Sequence, residues 1–238
     1  MIMTDVLRRP SLPLSTLAAA VLMLACLIMP VARIDDRPLS VETPLSRVAV
    51  IGDSYTNGTD WGGIGAAGWP AQAWQLLAAQ GRPVVADVAA EGRAGYGVRG
   101  DRGSLFWDLT TRAVQPDDRL VVFFGSRNDQ PVAVTDVVDQ ARNAFALVRG
   151  IAPAARLLVI GPPWPTADVP VEILRIRDAL AVVARSAGAR FVDPIAEGWF
   201  VGRPDLIAAD GVHPTDAGHL YLADKIARLM GAQLTPRR

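Results

Sequence analysis

The chain has 238 residues, half of them hydrophobic, and its 24 basic and 24 acidic side chains cancel to zero formal charge. That balance excludes the basic excess expected of a nucleic-acid or anionic-membrane binder. With one cysteine (Cys26) and two histidines (His213, His219), neither a disulfide framework nor a multi-histidine metal centre is expected, and no cofactor is called for.

Arg8 and Arg9 precede an apolar stretch from Leu17 to Ala32 that is broken only by Pro30. A positive segment followed by an apolar one describes a secretory signal peptide or an uncleaved signal anchor over residues 1–34, and predicts export. The stretch is short for a membrane-spanning helix, which needs about 20 residues. A lipoprotein acylation site at Cys26 and a buried helix of the globular part are weaker readings of the same segment. Residues 35–46, with Pro38 and Pro44, read as a tether. The domain is expected over 47–231, enough chain for a full core, with a short tail over 232–238.

Within the domain, strand-like apolar runs alternate with helix-like segments. The predicted strands are Arg47–Ile51, Pro83–Val88, Leu120–Phe124, Arg156–Ile160 and Arg190–Val192. The predicted helices are Pro70–Gln80, Ala133–Arg149, Val171–Ala187 and Asp216–Met230. Residues 97–118 are ambiguous, with one short helix around Leu105–Ala113. This alternation predicts an α/β fold, a parallel sheet with helices on both faces, whose functional loops gather at the carboxyl ends of the strands.

The chemistry-bearing residues fall on that edge. Ser54 follows the first strand in Gly52-Asp53-Ser54-Tyr55, Gly92 to Gly97 follow the second, Gly125 to Asp129 the third, and Gly161 to Trp164 the fourth. Near the other end lies Asp210-Gly211-Val212-His213-Pro214. A serine hydroxyl is a poor nucleophile until a base takes its proton, and the base needs a third group to orient it. Serine, histidine and acid are all present in loops.

These blocks, in order, resemble those of the SGNH hydrolases, also called GDSL-type esterases and lipases, over about residues 47–230. The resemblance implies a three-layer α/β/α sandwich around a five-stranded parallel sheet of flavodoxin-like order. It also implies a carboxylic ester hydrolase in which Ser54 attacks, His213 is base and then acid, and Asp210 orients the imidazole. The oxyanion hole it implies is built from the Ser54 amide, the Gly95 amide and the Asn128 side chain. Gly92 and Gly97 compete with Gly95 for that place. Where the family often has glycine two residues before the asparagine, this chain has Ser126. Tyr55, Trp164 and Arg127 are candidate substrate contacts.

Asp53 and Asp129 read as loop-building carboxylates, and His219 as a packed helix residue. Gly63-Ile64-Gly65-Ala66-Ala67-Gly68 spells G-x-G-x-x-G, but it does not directly follow a strand as a dinucleotide site requires, and reads as a loop bordering the serine. The expected ligand is a lipid, carbohydrate or small-molecule ester, with no nucleic-acid partner, and an N-terminal membrane anchor is compatible with the leader. Acyl transfer to an envelope sugar or glycolipid, and a binding role with dormant chemistry, remain open alternatives.

Overall fold

A computed structural model describes residues 45–234. The expected signal or anchor (1–34) and nearly all of the tether lie outside the described residues. Five strands, β1 (Ser46–Gly52), β2 (Val84–Ala90), β3 (Leu120–Phe124), β4 (Arg156–Ile160) and β5 (Arg190–Val192), form one sheet in the order β2-β1-β3-β4-β5. Every neighbouring pair is parallel, which is the flavodoxin-like order. The helices longer than one turn are α1 (Trp69–Ala79), α2 (Phe106–Ala113), α3 (Val134–Ile151), α4 (Val171–Ser186) and α5 (Asp216–Leu234).

The continuous apolar runs of the central strands follow from burial on both faces. Along each strand successive side chains alternate between two cores. Ala49, Ile51, Val121, Phe123, Leu157 and Val159 join the core covered by α2, α3 and α4. Val48, Val50, Val122, Phe124, Leu158 and Ile160 join the other, under α1, α5, Trp199 and Phe200. Helix α3 shows how its partner face is encoded: Val137, Ala141, Ala144, Phe145 and Val148 are buried at helical spacing.

Two boundaries differ from expectation. Ser46 is already in β1, paired with Val84, so the first strand begins inside the segment read as tether. Helix α5 continues through Gly231 to Leu234, both buried, so the tail starts later than residue 232. In both places tertiary contact extends an element past its strong local pattern.

In this strand order the chain runs from β1 to one side for β2 and to the other for β3, and the crevice between the carboxyl ends of β1 and β3 is where such sheets hold ligands. Ser54 and Asn128 follow those two strands.

Candidate active site

Asp53 follows β1 and caps a one-turn helix, Ser54–Asn57, with its Oδ1 accepting the Tyr55 amide at 2.9 Å. Gly52 is required by close packing: a Cβ there would lie 2.2 Å from the Thr56 hydroxyl. The turn sets Ser54 at the floor of a cavity of about 460 Å³ that His213, Asn128, Gly92 and Arg127 also line.

His213 is delivered by a loop ahead of α5. The Ala208 amide donates to the His213 carbonyl, Ile207 and Pro214 form a bridge, and Gly211 adopts φ 68°, a left-handed conformation that suits glycine. Asp210 Oδ1 accepts the amides of Val212 (2.9 Å) and His213 (3.0 Å). Its Oδ2 lies 2.6 Å from His213 Nδ1, and His213 Nε2 lies 3.1 Å from Ser54 Oγ. Partial burial would raise the Asp210 pKa, but the hydrogen bonds from the His213 amide and ring and from Val212 outweigh it and hold the group below its ordinary value. The acid is therefore ionised where an imidazolium would need it.

Asn128 sits in a short 3₁₀ turn after β3, with its carboxamide nitrogen 3.1 Å from Asp53 Oδ2 and 3.0 Å from the Ala94 carbonyl. One side chain thus ties the loops after β1, β2 and β3 together. Asp129 does the same for the β2 loop: buried, it accepts the amides of Tyr96 (2.9 Å), Gly97 (2.8 Å) and Val98 (2.9 Å). Burial raises its pKa in spite of these bonds. Both aspartates act as the loop-building carboxylates expected of them.

Three site expectations are corrected. Gly95 does not face the cavity: its amide donates to the Val98 carbonyl, and a Cβ there would meet Asp129 Oδ1 at 2.4 Å. Its lack of a side chain makes room for Asp129, not for a substrate. Gly92 lines the cavity instead, and neither its amide nor that of Ser54 donates to a protein group among the described residues. Tyr55 is buried edge-on against Phe124 and Phe200, and its hydroxyl donates to the Val212 carbonyl, so it anchors the histidine loop rather than a substrate. Trp164 is half-buried outside the cavity lining, its indole N–H held by the Asp168 carbonyl at 2.9 Å. Arg127 does line the cavity, with its guanidinium carbon 4.3 Å from the Trp164 ring centre.

Glu91 was missed. It follows β2 directly, is 1% exposed, borders the cavity, and accepts the Arg102 and Ser104 amides with Arg112 and Arg102 nearby. Burial pushes its pKa up, but the hydrogen bonds from Ser104 and Arg102 win and leave it below the ordinary value. An acid at the end of an alanine-rich strand was the available signal. The G-x-G-x-x-G segment leads into α1, and its Gly63 packs against the His219 ring. Trp69, Trp199 and Tyr96 are core residues, whereas Trp61 is about half exposed.

Residues 50–220 match the GDSL-like Lipase/Acylhydrolase family. The chain is 64% identical over 201 residues to the GDSL lipase Rv0518 of Mycobacterium tuberculosis, an alignment covering 83% of this chain and 87% of that one. Among solved structures it resembles TesA, with TM-score 0.65, 21% identity, and coverage of 79% of this chain and all of the other. It also resembles a lipase/acylhydrolase from Enterococcus faecalis, with TM-score 0.64, 17% identity, and coverage of 82% and 100%. A family two carbohydrate esterase from Clostridium thermocellum, solved with cellohexaose, gives TM-score 0.63 at 18% identity, covering 80% of this chain and 65% of that one. At these identities the structural likeness speaks for the fold.

Proposed function

The chain belongs to the GDSL-like lipase/acylhydrolase family, and on that premise we propose that it is an exported serine esterase that cleaves short-acyl carboxylic esters through an acyl-enzyme on Ser54. The observation that carries the reading is the unbroken line from Asp210 Oδ2 through the His213 ring to Ser54 Oγ, with steps of 2.6 and 3.1 Å. Both steps are within hydrogen-bond reach, and the second is the one along which the proton moves.

In the proposed reaction, Ser54 Oγ attacks the ester carbonyl carbon while its proton passes to His213 Nε2, and the carbonyl π pair becomes an oxyanion. The Ser54 and Gly92 amides supply donors for it. Asn128 supplies a third when one of its carboxamide hydrogens leaves Asp53 or Ala94. Such donors stabilise charge that develops only in the transition state. When the tetrahedral intermediate collapses, the alcohol leaves with the proton from His213. Water then gives a proton to His213 and attacks the acyl group, and Ser54 is regenerated as the acid departs.

The cavity supports short acyl groups. Val212 is the one aliphatic side chain among its lining residues, beside Asn57, Thr59, Arg93, Asp101 and Arg102. A second cavity, about 390 Å³, has Phe200, Pro204 and Ile207 in its walls and is also lined by Gly211 of the histidine loop. Export rests on Arg8, Arg9 and the apolar stretch from Leu17 to Ala32, and fractionation of cells making the full chain tests it.

Hydrolysis of p-nitrophenyl esters from acetate to palmitate, with fluorophosphonate labelling and Ser54→Ala in parallel, tests the reaction. Serine-dependent cleavage that peaks at acetate to butyrate is expected. A peak at eight or more carbons moves the acyl site to the second cavity, and a Ser54→Ala variant that keeps most of the activity overturns the mechanism.

A further inference from the structure

Arg127 is a cavity group that the ester mechanism leaves unused. Three arginines line this cavity, and two of them have carboxylate partners: Arg93 lies 3.4 Å from Asp101, and Arg102 lies 3.8 Å from the buried Glu91. Arg127 makes no ion pair with a carboxylate among the described residues; its charge acts on Asp53, and it meets the buried Tyr55 phenol through both its charge and a side-chain hydrogen bond. Its Nη1 is buried without an acceptor in hydrogen-bonding geometry. An unpaired donor of that kind costs stability and calls for an explanation.

The surroundings hold this guanidinium in place. Its carbon lies 4.3 Å from the Trp164 ring centre, and Trp164 is itself tied back to the Asp168 carbonyl. An indole face attracts the cation and limits its rotamers. A guanidinium engaged by its face carries its N–H donors in its plane, where they match the paired oxygens of a carboxylate or phosphate. Its neighbour in sequence is Asn128, which borders the cavity with Ser54.

We propose that Arg127, stacked on Trp164, selects esters that carry a second, anionic oxygen group (a carboxylate or a phosphate) near the scissile bond. Trp164 is then a positioning residue that acts through Arg127. This inference rests on the esterase reading above.

The test uses matched pairs on the full chain. One pair is 4-acetoxybenzoate and its methyl ester, which place or mask a carboxylate on the alcohol side. The other is 4-nitrophenyl hemisuccinate and 4-nitrophenyl butyrate, which do so on the acyl side. The anionic member of at least one pair is expected to be preferred about tenfold in kcat/KM, chiefly through KM, and the preference is expected to shrink as salt rises. Arg127→Gln should bring the ratio close to one, Arg127→Lys should restore part of it, and Trp164→Leu should lower it less than Arg127→Gln does.

Serine-dependent cleavage without anionic preference in either pair overturns the inference and leaves the esterase standing. A preference that survives Arg127→Gln overturns the assignment to Arg127. Absence of both ester cleavage and fluorophosphonate labelling sinks the esterase reading, and this inference falls with it. Wild-type ratios near one decide against the inference even where a variant fails to fold, and where Arg127→Gln does not fold, an Arg127→Lys ratio equal to wild type overturns the assignment to Arg127.

Discussion

His213 lies just ahead of helix α5 and His219 within its first turn, and their surroundings differ in everything that sets the chemistry of an imidazole. The His213 side chain keeps 25% of its surface, with a carboxylate on Nδ1 and a serine hydroxyl on Nε2. His219 is 1% exposed. Its Nδ1 accepts the Trp69 amide at 3.3 Å, and a Cβ on Gly63 would come within 2.1 Å of its Nε2. Burial above all pushes its pKa down to about 4, with Asp216 opposing and the His213 charge adding to the drop. One ring is placed to exchange a proton, and the other is kept neutral to fasten the glycine loop to α5. The difference lies in water and in the nearest carboxylate, and both are set by the fold.

The widest separation between the two is expected from removing each ring. His213→Ala should lower kcat by roughly 10⁴-fold or more with little change in melting temperature. His219→Ala should cost about 2–4 kcal/mol of stability while the remaining folded enzyme keeps its kcat. Kinetics and urea unfolding on both variants check this, and a folded His219→Ala protein without activity breaks the comparison. Asp210→Asn comes next: it keeps the shape but removes the charge and the tautomer control on Nδ1, so kcat should fall by about 10³–10⁴-fold.

Smaller effects sharpen the structural side. Gly63→Ala meets both a left-handed φ of 80° and the His219 ring. Unfolding should report a loss of about 2 kcal/mol or more. Because Tyr55 holds the Val212 carbonyl of the histidine loop, Tyr55→Phe should cost about 0.5–1.5 kcal/mol and lower kcat without changing which esters are preferred.

The pH dependence of stability separates two buried groups of opposite sign. His219 has a folded pKa depressed to about 4, so the unfolded chain takes the extra proton between there and the ordinary imidazole value of about 6.5. Its neutral form contributes fully above that range, and the contribution is lost as pH falls towards 4. Burial pushes Asp53 up to about 7, the Tyr55 amide and the Arg127 charge opposing. There the folded state holds the extra proton, so that contribution is present below about 4 and lost as pH rises through 7. The stability difference between wild type and His219→Gln should therefore grow from pH 4.5 to pH 7, by up to about 3 kcal/mol, and then level off. A flat difference in urea unfolding across that range rules out a buried neutral ring.

Much of the architecture was legible because its signals are local. β3, β4 and β5 run over the predicted residues, since a strand buried on both faces is a continuous apolar run bounded by turn residues. Each of the sequence motifs that carry Ser54, Asn128 and His213 is local, and their order along a parallel sheet was enough to expect them at one edge. Edges of elements were less legible, as Ser46 and Leu234 show, because their pairing and burial depend on partners distant in sequence.

Glycine choice within the β2 loop could not be read locally at all. Gly92, Gly95 and Gly97 offer the same residue within a few positions. Which amide remains free is decided by Asp129 and Val98, which occupy the surroundings of Gly95 and leave Gly92 at the cavity. The same holds for Tyr55, which the fold turns towards the histidine loop, and for Trp164, which touches Arg127 rather than the cavity.

The sequence by itself determined the α/β order, the two buried faces of the sheet and the residue types at its catalytic edge, because periodicity and chain order carry that information. Only the tertiary structure decided which donors are unspent, which histidine meets water and which cavity arginine has no carboxylate beside it among the described residues. Those are properties of contacts between segments far apart in the chain, where burial and hydrogen-bond competition, not residue identity, set the outcome.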